Sequence, residues 1–177
     1  MATSTWNIDV AHSSVNFSVR HLVVSKTRGK FVTYGGKIVL DEGDMTLSKV
    51  EVDIDASSID TGNADRDGHL KNNDFLDVPN NPKITFRSSK IAKKSDSDFD
   101  VTGELTIRGK THPVVLKTEY SGRGNDPWGG ERIGFTAHTK ISRKEFGLEW
   151  NQILEAGGAM VGDEVSIEIE IEAIKAA

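Results

Sequence analysis

The chain contains no cysteine, and its 177 residues include only four prolines, three tryptophans and two tyrosines. Without cysteine there is no disulfide framework, no thiolate nucleophile and no cysteine-based zinc site. No window approaches the ~20 apolar residues of a membrane-spanning helix, so stable membrane insertion is not expected. Lysine and arginine form no run, and 22 of them against 27 acidic residues leave a net charge of −5. That balance favours solubility and argues against nucleic acid as a partner. The opening, Met1-Ala2-Thr3-Ser4-Thr5-Trp6, lacks the basic start and apolar run of a signal peptide. The expected location is therefore the cytoplasm, with a periplasmic or secreted location as the alternative if a signal peptide has been removed. Also missing are a Gly-x-Ser-x-Gly elbow and a dinucleotide fingerprint. Arg108-Gly109-Lys110-Thr111 looks like the end of a phosphate loop, but it lacks the upstream glycine and reads as a hairpin turn.

What the chain does contain is alternation. Val165, Ile167, Ile169, Ile171 and Ala173 alternate with Ser166, Glu168, Glu170 and Glu172. The same period of two runs through Phe99 to Ile107, Val50 to Ala56, Ile133 to Ile141, Val15 to Val19 and Ile84 to Phe86. That period belongs to strands with one apolar face. Weaker strands are expected over Lys26 to Leu40, broken at Gly35-Gly36, and over Pro113 to Tyr120. Turn chemistry separates them at Asp41-Glu42-Gly43-Asp44, Lys94-Ser95-Asp96-Ser97, Arg108-Gly109-Lys110 and Asp126-Pro127-Trp128-Gly129-Gly130. About eight strands with short connections imply an all-β, largely antiparallel single domain. A one-faced sheet must stack on another or curl shut. Gly29, Gly35, Gly36 and Gly103 are placed where long strands could bend. A barrel of about eight strands either fills its interior or holds one small ligand. The inward residues are mostly Val, Ile, Ala and Gly, with few Leu or Met. Alternation alone leaves a ligand channel and a filled core equally open.

One stretch breaks the pattern, from Asp65 through His69 and Phe75 to Val78. Asn63 or Thr61 is placed to cap a helix over Ala64 to Asn72, with Asp65 and Asp67 at its positive end. Single helical turns are expected at His21 to Val24 and Ser142 to Phe146. Five histidines, His12, His21, His69, His112 and His138, include no pair at metal-ligand spacing, so no metal site is expected. Asp67 orienting His69 is the one arrangement that would support acid–base catalysis. The alternative is that Arg66 and Asp67 pin the segment to the barrel rim. Arg20 and His21, which end the first long strand, join Arg66 and His69 as candidates for a polar or anionic ligand head. Phe75 and Phe146 lie in the irregular segments and are candidate plug residues.

Taken together, several motifs resemble the YceI-like family. They are His12-Ser13-Ser14-Val15-Asn16-Phe17-Ser18-Val19-Arg20-His21, Ser25-Lys26-Thr27-Arg28-Gly29-Lys30-Phe31, Ser58-Ile59-Asp60-Thr61 with Arg66-Asp67-Gly68-His69-Leu70, and Asp74-Phe75-Leu76-Asp77-Val78 with Pro82-Lys83-Ile84-Thr85-Phe86. Gly103 to Thr111, Trp128 to Phe135, Ile141 to Leu148 and the closing strand complete the set, in the family's order. The resemblance covers nearly the whole chain. It implies an extended, eight-stranded, lipocalin-like antiparallel barrel that binds a polyisoprenoid or similar long-chain amphiphile. It implies a carrier or storage role, often linked to isoprenoid quinone metabolism or stress, with no cofactor and no catalysis. Dimers are common in the family, so a homodimer is a candidate partner. Its contact is expected near the Trp128 loop rather than on the acidic face of the last strand. Val23, Leu76, Ser142 and Glu145 depart from residues frequent in the family, and Leu76 bears on which ligand fits.

Alternation and resemblance together give a set of expected ligand contacts. Phe17, Val19, Phe31, Phe75, Phe86, Val101, Leu105 and Phe135 are expected to touch the chain of the ligand. Leu70, Phe75 and Leu76 are expected to close or line one end, with Phe146 a further plug candidate in contact with the ligand, and Arg20, His21, Arg66 and His69 to meet the head. The competing readings are a lipid-modifying hydrolase or isomerase using His69 and Asp67, and a filled barrel with a structural or stress role.

Overall fold

A computed structural model describes residues 2–22, 25–151 and 161–177. The strands in chain order are β1 (Thr3–Ile8), β2 (Ser14–His21), β3 (Ser25–Phe31), β4 (Tyr34–Asp41), β5 (Lys49–Asp55) and β6 (Ile59–Asp60). After helix α1 (Ala64–Lys71) come β7 (Lys83–Lys93), β8 (Asp98–Ile107), β9 (Lys110–Asn125), β10 (Glu131–Ser142) and β11 (Val161–Lys175). All the pairings are antiparallel, and β1 pairs with both β4 and β11, which closes the ring. The ring order β1-β4-β5-β7-β8-β9-β10-β11 gives an eight-stranded barrel.

The remaining strands extend this ring rather than adding to it. β1 and β2 follow one another along β11, meeting its end and its beginning respectively. β3 and β4 form a second long, broken stave beside them. β5 and β6 form a third. The break between β3 and β4 falls at Val32–Thr33, not at Gly35-Gly36 as the sequence suggested. The cause lies in the neighbouring stave. Between β1 and β2 the chain makes a 3-10 turn at Val10–His12, so the partner changes at that level. Gly36 instead serves close packing: a Cβ there would lie 2.3 Å from the Glu51 carbonyl oxygen. The stave β9 runs over 16 residues, well beyond Pro113 to Tyr120. Pro113 is tolerated because β10 pairs with β9 only over 117–125, leaving β8 as its single partner there. Skipped residues at Ser89 and Ser121 are β-bulges that curve the long strands.

The turns follow their residue chemistry. Arg108 and Gly109, with φ of 52° and 71°, form a two-residue hairpin turn of the kind that needs two left-handed residues. Asn63 caps α1 by accepting a hydrogen bond from the Arg66 amide at 3.0 Å. The single turn expected at Ser142 to Phe146 is present as a 3-10 turn over Arg143–Phe146. Of the turn expected at His21 to Val24, Leu22 is in a turn and residues 23–24 lie outside the described set.

Two apolar clusters sit inside the ring. Trp6, Ile38, Leu40, Ile133 and Ala173 form one, at the end where β1 begins and β11 finishes; we call this end the floor. The other, around Ile84, Phe86, Val101, Leu105 and Ile141, lies toward the end that carries α1, the mouth.

Candidate functional site

The inward residues of adjacent staves meet in register. Ile133, Phe135, Ala137, Thr139 and Ile141 on β10 stand opposite Ala173, Ile171, Ile169, Ile167 and Val165 on β11. Apart from Phe135 these inward side chains are small or aliphatic, and they leave the centre of the barrel open. A cavity of about 620 Å³ results, within the ~300–1,000 Å³ typical of small-molecule sites. Residues from β2, β4, β5, β7, β8, β9, β10 and β11 all border it. Its wall is almost wholly apolar, and the charged and histidine side chains on its border belong to the mouth, while Ser48 borders it near the floor. Trp6 lies below it, fully buried, with its indole N–H donating to Ser4 Oγ at 2.8 Å. Arg123 stacks over the Trp6 ring at 5.0 Å and is itself bonded to Glu42 and Glu131.

Two glycines keep the lumen open. A Cβ on Gly29 would lie 2.4 Å from Phe17 Cζ, and one on Gly103 would lie 2.4 Å from Phe86 Cζ. Each phenylalanine therefore lies down on bare backbone instead of standing out into the lumen. Phe17 and Gly29 are direct cross-strand partners. The sequence reading assigned Gly29 and Gly103 to strand bending; what the structure shows is that they make room for rings.

The mouth is built on α1 and the segment that follows it. Asp67 accepts hydrogen bonds from the Thr61 amide at 2.9 Å and from the Thr61 hydroxyl. Arg66 donates from Nε to Thr61 Oγ1 and from Nη2 to the Thr61 carbonyl, both at 2.8 Å. Asp67 thus secures the start of the helix to the rim, and His69 pairs with Asp74 at 2.8 Å instead. The His69–Asp67 pairing that acid–base catalysis required is not formed. The His69 ring packs edge-on against Phe75 and Trp150, at 5.1 and 4.8 Å between centroids. Arg108, from the β8–β9 turn, donates to the Phe75 carbonyl at 2.7 Å and so ties the plug segment to the barrel.

The lumen border contains Phe17, Val19, Arg20, His21, Phe31, Arg66, His69, Leu70, Phe75, Phe86, Val101, Leu105 and Phe135. Phe146 is the exception among the expected contacts. It is fully buried but does not border the lumen. Its ring meets His112 edge-on at 5.1 Å, in the wedge where β9 has parted from β10. It therefore seals a seam in the wall, and the apolar character that suggested a plug residue is used there.

The family model of the YceI-like domain matches residues 6–173. The chain belongs to the YceI-like family. A UPF0312 protein of Vibrio campbellii is 39% identical over 165 residues, 93% of this chain and 83% of the relative. A UPF0312 protein of Vibrio parahaemolyticus is 42% identical over 138 residues, covering 78% and 73%. Among solved structures, Burkholderia cenocepacia BcnA matches with a TM-score of 0.82 and 25% identity, over 93% of this chain and 98% of the other. A polyisoprenoid binding domain from Saccharophagus degradans shares the fold, with a TM-score of 0.72, 15% identity and coverage of 97% and 98%.

In this YceI-like barrel, two mouth residues escaped the sequence reading. Arg143 is 2% exposed and borders the lumen. Its guanidinium donates to the carbonyls of Gly162 at 2.8 Å, Trp150 at 2.9 Å, Val161 at 3.3 Å and Leu148. Burial pulls its pKa below the ordinary arginine value, and the charge of Asp163 opposes that shift. Asp163 is itself held low: burial works against its charge, but the Ser142 hydroxyl, the Lys144 amide and the charges of Lys144 and Arg143 together outweigh it. Asn151 adds two bonds to the Val161 backbone, at 2.7 and 3.0 Å. Arg143 and Asn151 together thus join residues 148–151 to the start of β11. A signal for Arg143 was present, since it continues the inward register of Thr139 and Ile141 by two residues. Trp150 lies in no regular element and offered no such signal.

Proposed function

We propose that this chain carries one long-chain amphiphilic lipid of the polyisoprenoid or isoprenoid-quinone class in its lumen, as a carrier or storage protein rather than a catalyst. The observation that supports this reading is the lumen itself: an apolar cavity of about 620 Å³ running from above Trp6 to a mouth that carries its charged and histidine side chains. A molecule with a long apolar tail and one polar end matches that distribution. Tail burial supplies the affinity, at about 0.8 kcal/mol per methylene before the cost of ordering a flexible chain. The head would lie near Arg20, His21, Arg66 and His69. The polyisoprenoid-binding description of the Saccharophagus degradans relative agrees with this assignment of ligand class. The test is denaturing extraction of protein purified from its own host, followed by lipid mass spectrometry. We expect one long-chain lipid per chain; protein that repeatedly emerges with no stoichiometric lipid overturns the reading.

A further inference from the structure

We propose that the outer face of β3, beside the mouth, docks on an anionic lipid surface. The inference rests on the carrier reading only in supplying a reason for such docking. A chain lipid enclosed in the lumen has to be taken from, or returned to, an apolar phase.

The observation is a row of cations on one strand beside the mouth. Several cations toward the floor are paired within the protein. Arg123 pairs with Glu42 and Glu131, Arg132 with Asp9 and Asp126, and Lys94 and Lys117 with Asp100. Near the mouth, β3 carries Lys26, Arg28 and Lys30 at every second position, all exposed. Among the described residues none of these three side chains has a polar partner. Arg20 stands opposite Lys26 in the strand register. Asp60 stands opposite Lys30 in the β3–β6 register, where it accepts from the Gly62 amide at 2.9 Å, whereas Lys26 and Arg28 have Arg20 and Ser18 as their β2 partners; Asp65 lies on α1, and Glu145 and Glu149 at and after the 3-10 turn that follows β10. The β3 face is therefore a local positive stripe on a chain of net charge −5.

Two further features fit a lipid surface. Leu22, in the turn that joins β2 to β3, is a large apolar side chain 40% exposed at the tip of the same hairpin. β3 is also a partly free edge: β2 covers one side, while β6 pairs only with Lys30 and Phe31. Charge on an edge strand discourages sheet-to-sheet association. That role accepts either sign, however, and all three charges here are positive. Basic residues beside an exposed apolar side chain suit an anionic interface, where each contributes about 1 kcal/mol, or about fivefold in affinity.

The test is co-sedimentation of the full chain with vesicles of phosphatidylcholine alone and of phosphatidylcholine mixed with phosphatidylglycerol. We expect binding only to the anionic vesicles, lost as salt shortens the screening length. The triple variant Lys26→Gln, Arg28→Gln, Lys30→Gln should bind on the order of a hundredfold more weakly. Lys49→Gln with Lys90→Gln, which removes two exposed lysine charges away from the mouth, should bind as the parent does. Lys26→Arg with Lys30→Arg should also bind as the parent does, which guards against a folding defect in the triple variant. Equal binding to both vesicle types overturns the proposal. So does a triple variant that still binds, or an equal loss in the Lys49/Lys90 control. Capture by a protein edge strand with no vesicle binding overturns it as well. Lipid content of the same preparations, read by mass spectrometry, reports on the carrier function separately. Docking without luminal lipid would remove that function and leave the surface assignment standing.

Discussion

At the scale of single residues, the lumen depends as much on what is absent as on what lines it. Phe86 lies flat only because Gly103 has no side chain, and Phe17 only because of Gly29. In Gly103→Ala the new methyl and the ring cannot share the space, and the open side is the lumen. We expect the Phe86 ring to swing inward, a stability loss of about 1–3 kcal/mol from overpacking, and weaker binding of chain lipids. Adding Phe86→Leu to Gly103→Ala should restore binding but only part of the stability, since the new Cβ also lies 2.6 Å from the Arg87 carbonyl oxygen; a ligand site that did not involve this ring would show no rescue of binding. Titration with a fluorescent prenyl alcohol and a crystal structure of the single variant would read the two effects. Arg143 is the second residue on which much depends. Its guanidinium satisfies four carbonyl oxygens at once, so Arg143→Met leaves buried acceptors unpaired at about 1–3 kcal/mol each. We expect a loss of at least about 3 kcal/mol in urea unfolding, although the methionine fills much of the same volume. A change below 1 kcal/mol would show that these carbonyls find water instead.

At the scale of elements, the staves were legible and the joints were not. Alternation placed β8, β10 and β11 with the correct inward faces, because a residue facing an apolar lumen and one facing water are under opposite demands. The helix was legible from Asn63 and the acidic first turn, which act locally. The break at Val32–Thr33 was not legible, since it is set by the 3-10 turn of a neighbouring stave. Phe146 was read as a plug because the sequence does not show that β9 and β10 part company. His69 pairs with Asp74 because Thr61 takes up the Asp67 carboxylate, the rim-pinning arrangement that stood against the catalytic one. The helix itself packs lightly: none of its residues is fully buried, and it is held by its cap and by the Thr61 bonds. Asn63→Ala should therefore cost α1 about 1 kcal/mol of local stability. Hydrogen exchange is the suitable measurement. The amides of 64–71 should exchange about fivefold faster, while those of β8 and β10 stay unchanged. If the strand amides accelerate equally, the helix unfolds only with the whole barrel and is not a separate element of the mouth.

At the scale of the whole molecule, the floor is an electrostatic closure and the mouth is not, and this fixes how the barrel responds to acid. Hydrogen bonds from Arg132 and His12 hold Asp9 below its ordinary value of 3.8, and those from Arg123 and Ser4 hold Glu42 below its ordinary value of 4.5. Arg123 does the same for Glu131, and for Asp126 the backbone amides, chiefly that of Gly130, act together with Arg132. A carboxylate whose pKa is lower folded than unfolded stabilises the fold once pH exceeds the unfolded value. It loses that contribution as pH falls through the folded value. Stability should therefore be level above about pH 5 and decline from about pH 4.5 downward, with the loss continuing below pH 3.8 as Asp9 and Asp126 protonate. Arg123 and Arg132 remain charged throughout, so the decline reports the carboxylates alone. Glu42 and Glu131 are about a third exposed, so their contribution is small and should weaken in high salt, whereas Asp9 and Asp126 are more enclosed and less screened. Arg123→Gln removes the partner shared by Glu42 and Glu131 and should flatten the acid slope. It should also lower stability at neutral pH, because Arg123 no longer covers the Trp6 ring. Urea unfolding of the parent and of Arg123→Gln between pH 3 and pH 7 distinguishes this account from general charge repulsion, which would leave the two slopes parallel.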